Sequence, residues 1–221
     1  MNFITNPDEI EKRSFEIIAE KLAGREFDPE HINVIKRVIH TTADFDFADN
    51  LVFSDGVVTV LKDALSKGAR IVTDTQMAKA GINKKAAEHF GCEVCCFIDA
   101  PEVVDKARAE GSTRARAAVD RAAQALEAPV VFVVGNAPTA LIRLHELITG
   151  GDLSPAAIVA VPVGFVNVVE TKELILALDI PHIVAKGRKG GSNVAAAIIN
   201  ALLYETIAAH QKSTSDRGGI L

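Results

Sequence analysis

The stretch RVIHTTADFDFADN, residues 37–50, sets His40 at the end of an apolar helical pattern and follows it with two threonines, three aspartates and an asparagine. Imidazole exchanges a proton near neutral pH, so a histidine in such company is a candidate general acid or base. A helix C-terminus favours a positive side chain, and Asp44, Asp46 or Asp49 would strengthen that if one approached the ring. The plainer account makes the histidine structural and the aspartates loop caps and turn formers.

Three glycine turns are the next candidates. In VGNAPTAL, Gly135 permits a tight turn, Asn136 is placed to cap the following helix and Pro138 suits its first turn. PVGFVNVVE offers Gly164, and KGRKGGSNV offers Arg188, Lys189, Gly190, Gly191 and Ser192 at a helix start. Free amides at such starts hold anions, and three on one sheet edge suit a carboxylate-rich ligand. Neither a G-K-[ST] closure nor a G-x-G-x-x-G after a strand is present, which argues against a nucleotide. Arg114 and Arg116 begin a helical pattern in GSTRARAAVD, where they oppose the dipole; a bound anion or a solvated face would account for them. Arg13 and Ser14 in EKRSF read, on spacing alone, as a solvent-facing pair. Cys92, Cys95 and Cys96, with His89, spell H-x-x-C-x-x-C, but adjacent Cys95 and Cys96 in a β-like run point to opposite faces. Buried strand cysteines are expected there, and no metal site.

These residues need a frame to bring them together. From residue 69 onward the apolar runs ARIVTD, EVCCFID, APVVFVVG, AAIVAVPVG and HIVAKG alternate with helical patterns. Such alternation predicts an α/β fold with right-handed crossovers and a doubly wound parallel sheet, whose ligands gather beyond the carboxyl ends of the strands. The composition agrees: 48% of residues are apolar but only 5% aromatic, as when aliphatic strands pack against helices. The expected division of 1–221 is one domain, with a mainly helical N-terminal cap over 1–68, an α/β core over 69–210 and a polar tail over 211–221. A net charge of −5 argues against a nucleic-acid surface. No apolar leader core or stretch of about 18 uninterrupted apolar residues is seen, so a cytoplasmic protein without a membrane span is expected.

Taken in order, RSFEII, RVIHTTADFDFADN, TDTQMAKAGI, GSTRARAA, GNAPTAL, PVGFVNVVETKELI and GRKGGSNVAAAIINALL resemble the precorrin-8X methylmutase family of cobalamin biosynthesis over nearly the whole chain. The resemblance implies a flavodoxin-like sandwich with a five-stranded parallel sheet, and a homodimer with active sites near the subunit interface. The Ala-rich pattern NVAAAIINALLYETIAA offers a face for such a neighbour. The implied activity is an intramolecular methyl shift from carbon 11 to carbon 12 of a tetrapyrrole, giving hydrogenobyrinate or its cobalt-containing counterpart, with no cofactor or methyl donor. The family's catalytic histidine falls on His40, and its substrate-contacting serine on Ser14. Arg13, Thr75, Met77, Arg114, Asn136, Pro138, Thr139, Gly164, Arg188, Gly190, Gly191 and Ser192 match positions read as pocket lining. This chain has TDTQM where the family has a more apolar C-D-V-x-M. The alternatives are an S-adenosylmethionine-dependent methyltransferase of the same pathway, against which the missing nucleotide fingerprint counts, and a non-catalytic tetrapyrrole carrier using His40 as an axial ligand.

Overall fold

The structure is a computed structural model describing residues 3–124 and 129–217. Each of the five apolar runs contains a strand: β2 (Arg70–Thr73), β3 (Glu93–Cys95), β4 (Val130–Val134), β5 (Ala157–Ala160) and β6 (His182–Ala185). All five are parallel and lie in the order β3-β2-β4-β5-β6, a doubly wound arrangement whose switch point lies between β2 and β4. The expected five-stranded parallel sheet is nevertheless corrected. A sixth strand, β1 (Leu51–Phe53), pairs antiparallel with β6, Val52 opposite Val184, and makes the sheet mixed. The N-terminal 68 residues thus contribute a strand as well as helices.

Alternate strand residues face opposite layers, as the pleat requires. Ile71, Val131, Val133, Val159 and Ile183 share a core with α4 (Val57–Ser66) and α11 (Ser192–Arg217), whereas Val72, Phe132, Ile158 and Val184 share one with α8 (Arg114–Ala123), α9 (Pro138–Thr149) and α10 (Val168–Leu176). α7 (Pro101–Ala109) packs outside α8.

On the first face, α5 (Gln76–Gly81), α6 (Lys84–His89) and α2 (Ile32–Thr42) cover α11. The α2 stripe Val34, Ile35, Val38 and Ile39 is buried, leaving His40 exposed in the last turn. α1 (Pro7–Leu22) lies on α2; Asn6 caps it by accepting the N–H groups of Asp8 and Glu9. α3 (Phe47–Asn50) leads into β1.

From Val194 to Leu203 α11 is almost wholly apolar, and this part is buried beneath the rest of the chain. Ala195, Ala196, Ala197 and Ala201 of the pattern expected to meet a neighbour are buried in the core, whereas Tyr204, Ala208 and Ala209 of the same pattern are exposed. The segment Ser192–Lys212 is long and apolar enough to cross a membrane, but 61% of its most apolar window is buried in the fold. The helix runs on to Arg217 where a polar tail over 211–221 is expected; residues 218–221 of that tail lie outside the described residues.

Candidate active site

The residues following each parallel strand converge at one edge of the sheet. After β2 comes Asp74, only 7% exposed, whose carboxylate accepts the N–H groups of Gly135, Asn136 and Ala137 at 2.9, 2.8 and 2.7 Å. Burial pushes this carboxyl above its ordinary range, and the three N–H donors oppose the push. The loop after β4 is therefore held from outside: Asn136 does not cap α9, whose N-cap is Ala137 with no side-chain bond. Pro138 does occupy the first helical turn, and Thr139 accepts the hydroxyl hydrogen of Thr113 at 2.7 Å.

Thr75 caps α5 by accepting the Ala78 N–H at 3.0 Å, and its hydroxyl meets that of Ser192 at 2.7 Å. The ends of β2 and β6 are thereby joined. The strand ends approach so closely that two glycines are obligatory. A Cβ at Gly190 would stand 2.1 Å from the Val161 carbonyl oxygen, and one at Gly135 2.8 Å from Ser192 Cα. Gly191 donates to Val161 at 2.9 Å, and Gly164 donates to the Arg188 carbonyl at 3.2 Å. Arg188 itself is exposed. Around this rim stand exposed apolar side chains: Met77, Val163, Val166 and Phe165, the last 85% exposed.

His40 borders the same edge. It lines a cleft of about 250 Å³ with Arg37, Gly81, Asn193, Asn200 and Tyr204, Asn193 directly following Ser192. Its ring stacks on Phe15 at 5.0 Å between centroids and 10° between planes, and the Arg37 guanidinium lies 4.7 Å from the same phenyl ring's centroid. None of the three aspartates binds the imidazole. Asp44 and Asp46 each accept from the Lys189 ammonium at 2.6 Å, and Asp49 pairs with Arg25. The Lys189 contact holds the Asp44 carboxyl below its usual range. Among the described residues no hydrogen bond engages His40, so its ring nitrogens face the cleft and solvent.

Other expected residues are dispersed. Arg114 is exposed and pairs with Asp99 at 3.0 Å; Asp99 also accepts from Gln76, beside Met77, at 3.4 Å. Arg116 is explained without an anion, since it makes a two-pronged bond to Glu146 at 2.9 and 2.6 Å. Ser14 donates to its own helix at Ile10, 2.8 Å away, and Arg13 pairs with Glu16 and Glu20, so both stay on α1. A larger groove of about 660 Å³ runs along edge strand β3, lined by Gln76, Lys79, Ile82, Cys92 and Val94. Burial raises the Cys92 and Cys95 thiols to about 11, where they are inert neutral groups.

Two residues of the edge escaped sequence reasoning. Asp74 ends an apolar run and sits where strand-end residues matter, a usable signal. Lys172, 1% exposed, donates from α10 to the carbonyls of Gly187 and Lys189 at 2.8 and 2.9 Å. A lysine on a helix reads as solvated, so nothing local distinguishes it.

Residues 9–205 match the family model described as precorrin-8X methylmutase. The chain is 48% identical over 209 residues to the cobalt-precorrin-8 methylmutase of Salmonella typhimurium, an alignment covering 92% of this chain and 98% of the relative. It is 37% identical to the precorrin-8X methylmutase of Pseudomonas aeruginosa, covering 93% and 99% of the two chains. The solved precorrin-8X methyl mutase of Thermus thermophilus superposes with a TM-score of 0.84 at 38% identity, over 90% of this chain and 98% of that one.

Proposed function

The chain belongs to the precorrin-8X methylmutase family, and from that premise we propose that its reaction runs at the strand-end rim beside His40. The enzyme is an isomerase of cobalamin biosynthesis: it moves a methyl group from carbon 11 to carbon 12 of a precorrin-8 ring. The relatives' names cover both the cobalt-loaded and the metal-free ring. We therefore take the ring and its carboxylates, shared by both forms, as what is recognised.

The chemistry needs little covalent help. A methyl group migrates across a conjugated ring more readily when the acceptor carbon is electron-poor, and a proton or strong hydrogen bond on a ring nitrogen makes it so. His40 is proposed to supply that interaction, its nitrogens free and its ring orientation steadied by the stack on Phe15. Ser14 and Arg13, next to Phe15 in α1, are proposed as substrate contacts at this end of the site. Arg114 and Arg188 would bind the peripheral carboxylates. Thr75, Asn136, Pro138, Thr139, Gly164, Gly190, Gly191 and Ser192 line the rim, and exposed Met77 and Phe165 offer apolar surface to the macrocycle's face. The acidic net charge is no obstacle, because binding follows the local field. The working species in this reading is a cytoplasmic homodimer of single-domain chains.

The observation carrying the reading is the matched family over residues 9–205 together with His40 opening on the strand-end edge. Catalytic amounts of the purified chain, given metal-free or cobalt-loaded precorrin-8 without S-adenosylmethionine, should yield the rearranged product spectrum over many turnovers. A requirement for the methyl donor, or a signal only stoichiometric with protein, would overturn it.

A further inference from the structure

Lys172 presents an energetic problem. An ammonium group removed from water loses several kcal/mol of solvation unless it is well paired, yet no carboxylate among the described residues lies within ion-pair distance of it, and it is 1% exposed. Burial pulls its pKa down to about 8. An apolar side chain would pack α10 against β6 without that loss, so packing alone does not account for a lysine.

What the ammonium does touch is the connection from β6 to α11. It donates to the carbonyls of Gly187 and Lys189, while the intervening Arg188 carbonyl accepts from Gly164 on the loop after β5. Three successive carbonyls are thereby tied inward or across to a neighbouring strand end. The side chains of this backbone are left to face outward: Arg188 is exposed at the rim, and Lys189 reaches Asp44 and Asp46 just beyond the helix that carries His40. One buried cation thus sets a loop that touches both the proposed carboxylate site and the segment following His40.

We propose that Lys172 is a positioning residue for substrate binding, acting through the β6–α11 connection to hold Arg188 toward the substrate's peripheral carboxylates. The inference rests on the reading that this rim binds the macrocycle. It assigns Lys172 no contact with the substrate and no part in the methyl shift.

The test uses hydrogenobyrinate as binding probe with K172M, R188A and the double variant, each checked for folding by thermal unfolding. K172M should bind the probe about tenfold more weakly while its single-turnover rate at saturating substrate stays within about threefold of wild type, because the loop is held alike before and after the shift. The double variant should bind no more weakly than R188A alone, since residues acting through one element are not additive. Wild-type affinity in a folded K172M, or fully multiplying losses in the double variant, would overturn the proposal. If K172M does not fold, K172Q, which retains an amide donor, should bind with intermediate affinity. If neither variant folds, Lys172 is a requirement of the fold and the proposal fails. An R188A enzyme with wild-type affinity would sink the rim reading itself, whereas a weakened R188A beside an unaffected K172M sinks only the role of Lys172.

Discussion

His40 leaves the last turn of α2 with its ring on Phe15 and its nitrogens unclaimed, a geometry suited to a group that must meet a substrate atom. Replacing it by alanine should leave fold and product affinity nearly intact but lower turnover on the order of a hundredfold, as for loss of a positioned general acid. Thermal unfolding, product binding and rate measured on one preparation separate this from a structural role, in which the folded fraction would keep its activity. Asp74 is the opposite kind of residue. Its carboxylate organises three backbone N–H groups of the β4–α9 loop from a buried position. Truncation in Asp74→Ala strands those donors and should destabilise the protein by about 3 kcal/mol in denaturant unfolding, of the order expected for charged hydrogen bonds left unmade. Unchanged stability would mean that the loop is ordered by something else.

At the scale of elements, α8 and α9 are joined by the ion pairs Arg116–Glu146 and Arg143–Asp120, and Arg143 also binds Glu146 within α9. The hydrogen bonds from the two arginines hold the Glu146 carboxyl down at about 2, against an ordinary 4.5. A depressed carboxylate contributes stability that is present above its unfolded value and lost as pH falls through the folded one. Solvent screens this half-exposed pair at neutral pH. Acid titration of Glu146→Gln should therefore show a stability gap to wild type that narrows between pH 4.5 and about 2, and a constant gap across that window would refute the assignment. The strand-end loops make a different prediction. Arg114→Ala and Arg188→Ala should raise KM more than they lower kcat, because peripheral carboxylates are held similarly in substrate and transition state. Normal binding with lost turnover in either variant would reassign that arginine to the chemistry.

For the molecule as a whole, the question is what completes a site that lies open at one edge. The first alanines of the α11 pattern that suggested a neighbour are buried in their own chain, whereas Tyr204, Ala208 and Ala209 of the same pattern are exposed. Exposed Ile10 and Ile17 lie one heptad apart on α1, whose partner α2 carries His40, and Phe3 and Ile4 extend the apolar stretch. Sedimentation at assay concentration should find a homodimer, with Ile10→Glu/Ile17→Glu weakening it. A strictly monomeric, fully active enzyme would dismiss the dimer.

Much of this architecture was written in local pattern. Five apolar runs alternating with helical spacing predict five parallel strands in the positions they occupy, because burial on both faces demands continuous aliphatic stretches. The convergence of Thr75, Gly135, Asn136, Gly164, Arg188, Gly190 and Ser192 at one edge follows from the same reasoning, since parallel strands present all their carboxyl ends together. The resemblance to a family came from the ordered motifs alone. What pattern does not carry is which surfaces meet across long separations. LVF is too short to announce itself as a strand, and it becomes β1 only because β6 offers an open edge. The aspartates after His40 look placed to serve that histidine, yet Asp44 goes to Lys189, 145 residues away, because packing α2 on α11 brings the start of that helix beside them. Asp74 replaces Asn136 as the organiser of the next loop for the same reason: β2 and β4 are neighbours in the sheet although far apart in the chain. Lys172 is buried because α10 lies against β6 and the loop that follows it, a contact that no periodicity within α10 encodes. Hydrophobic period specifies which faces are buried; the partners of the charged groups at their borders are chosen only when the layers close.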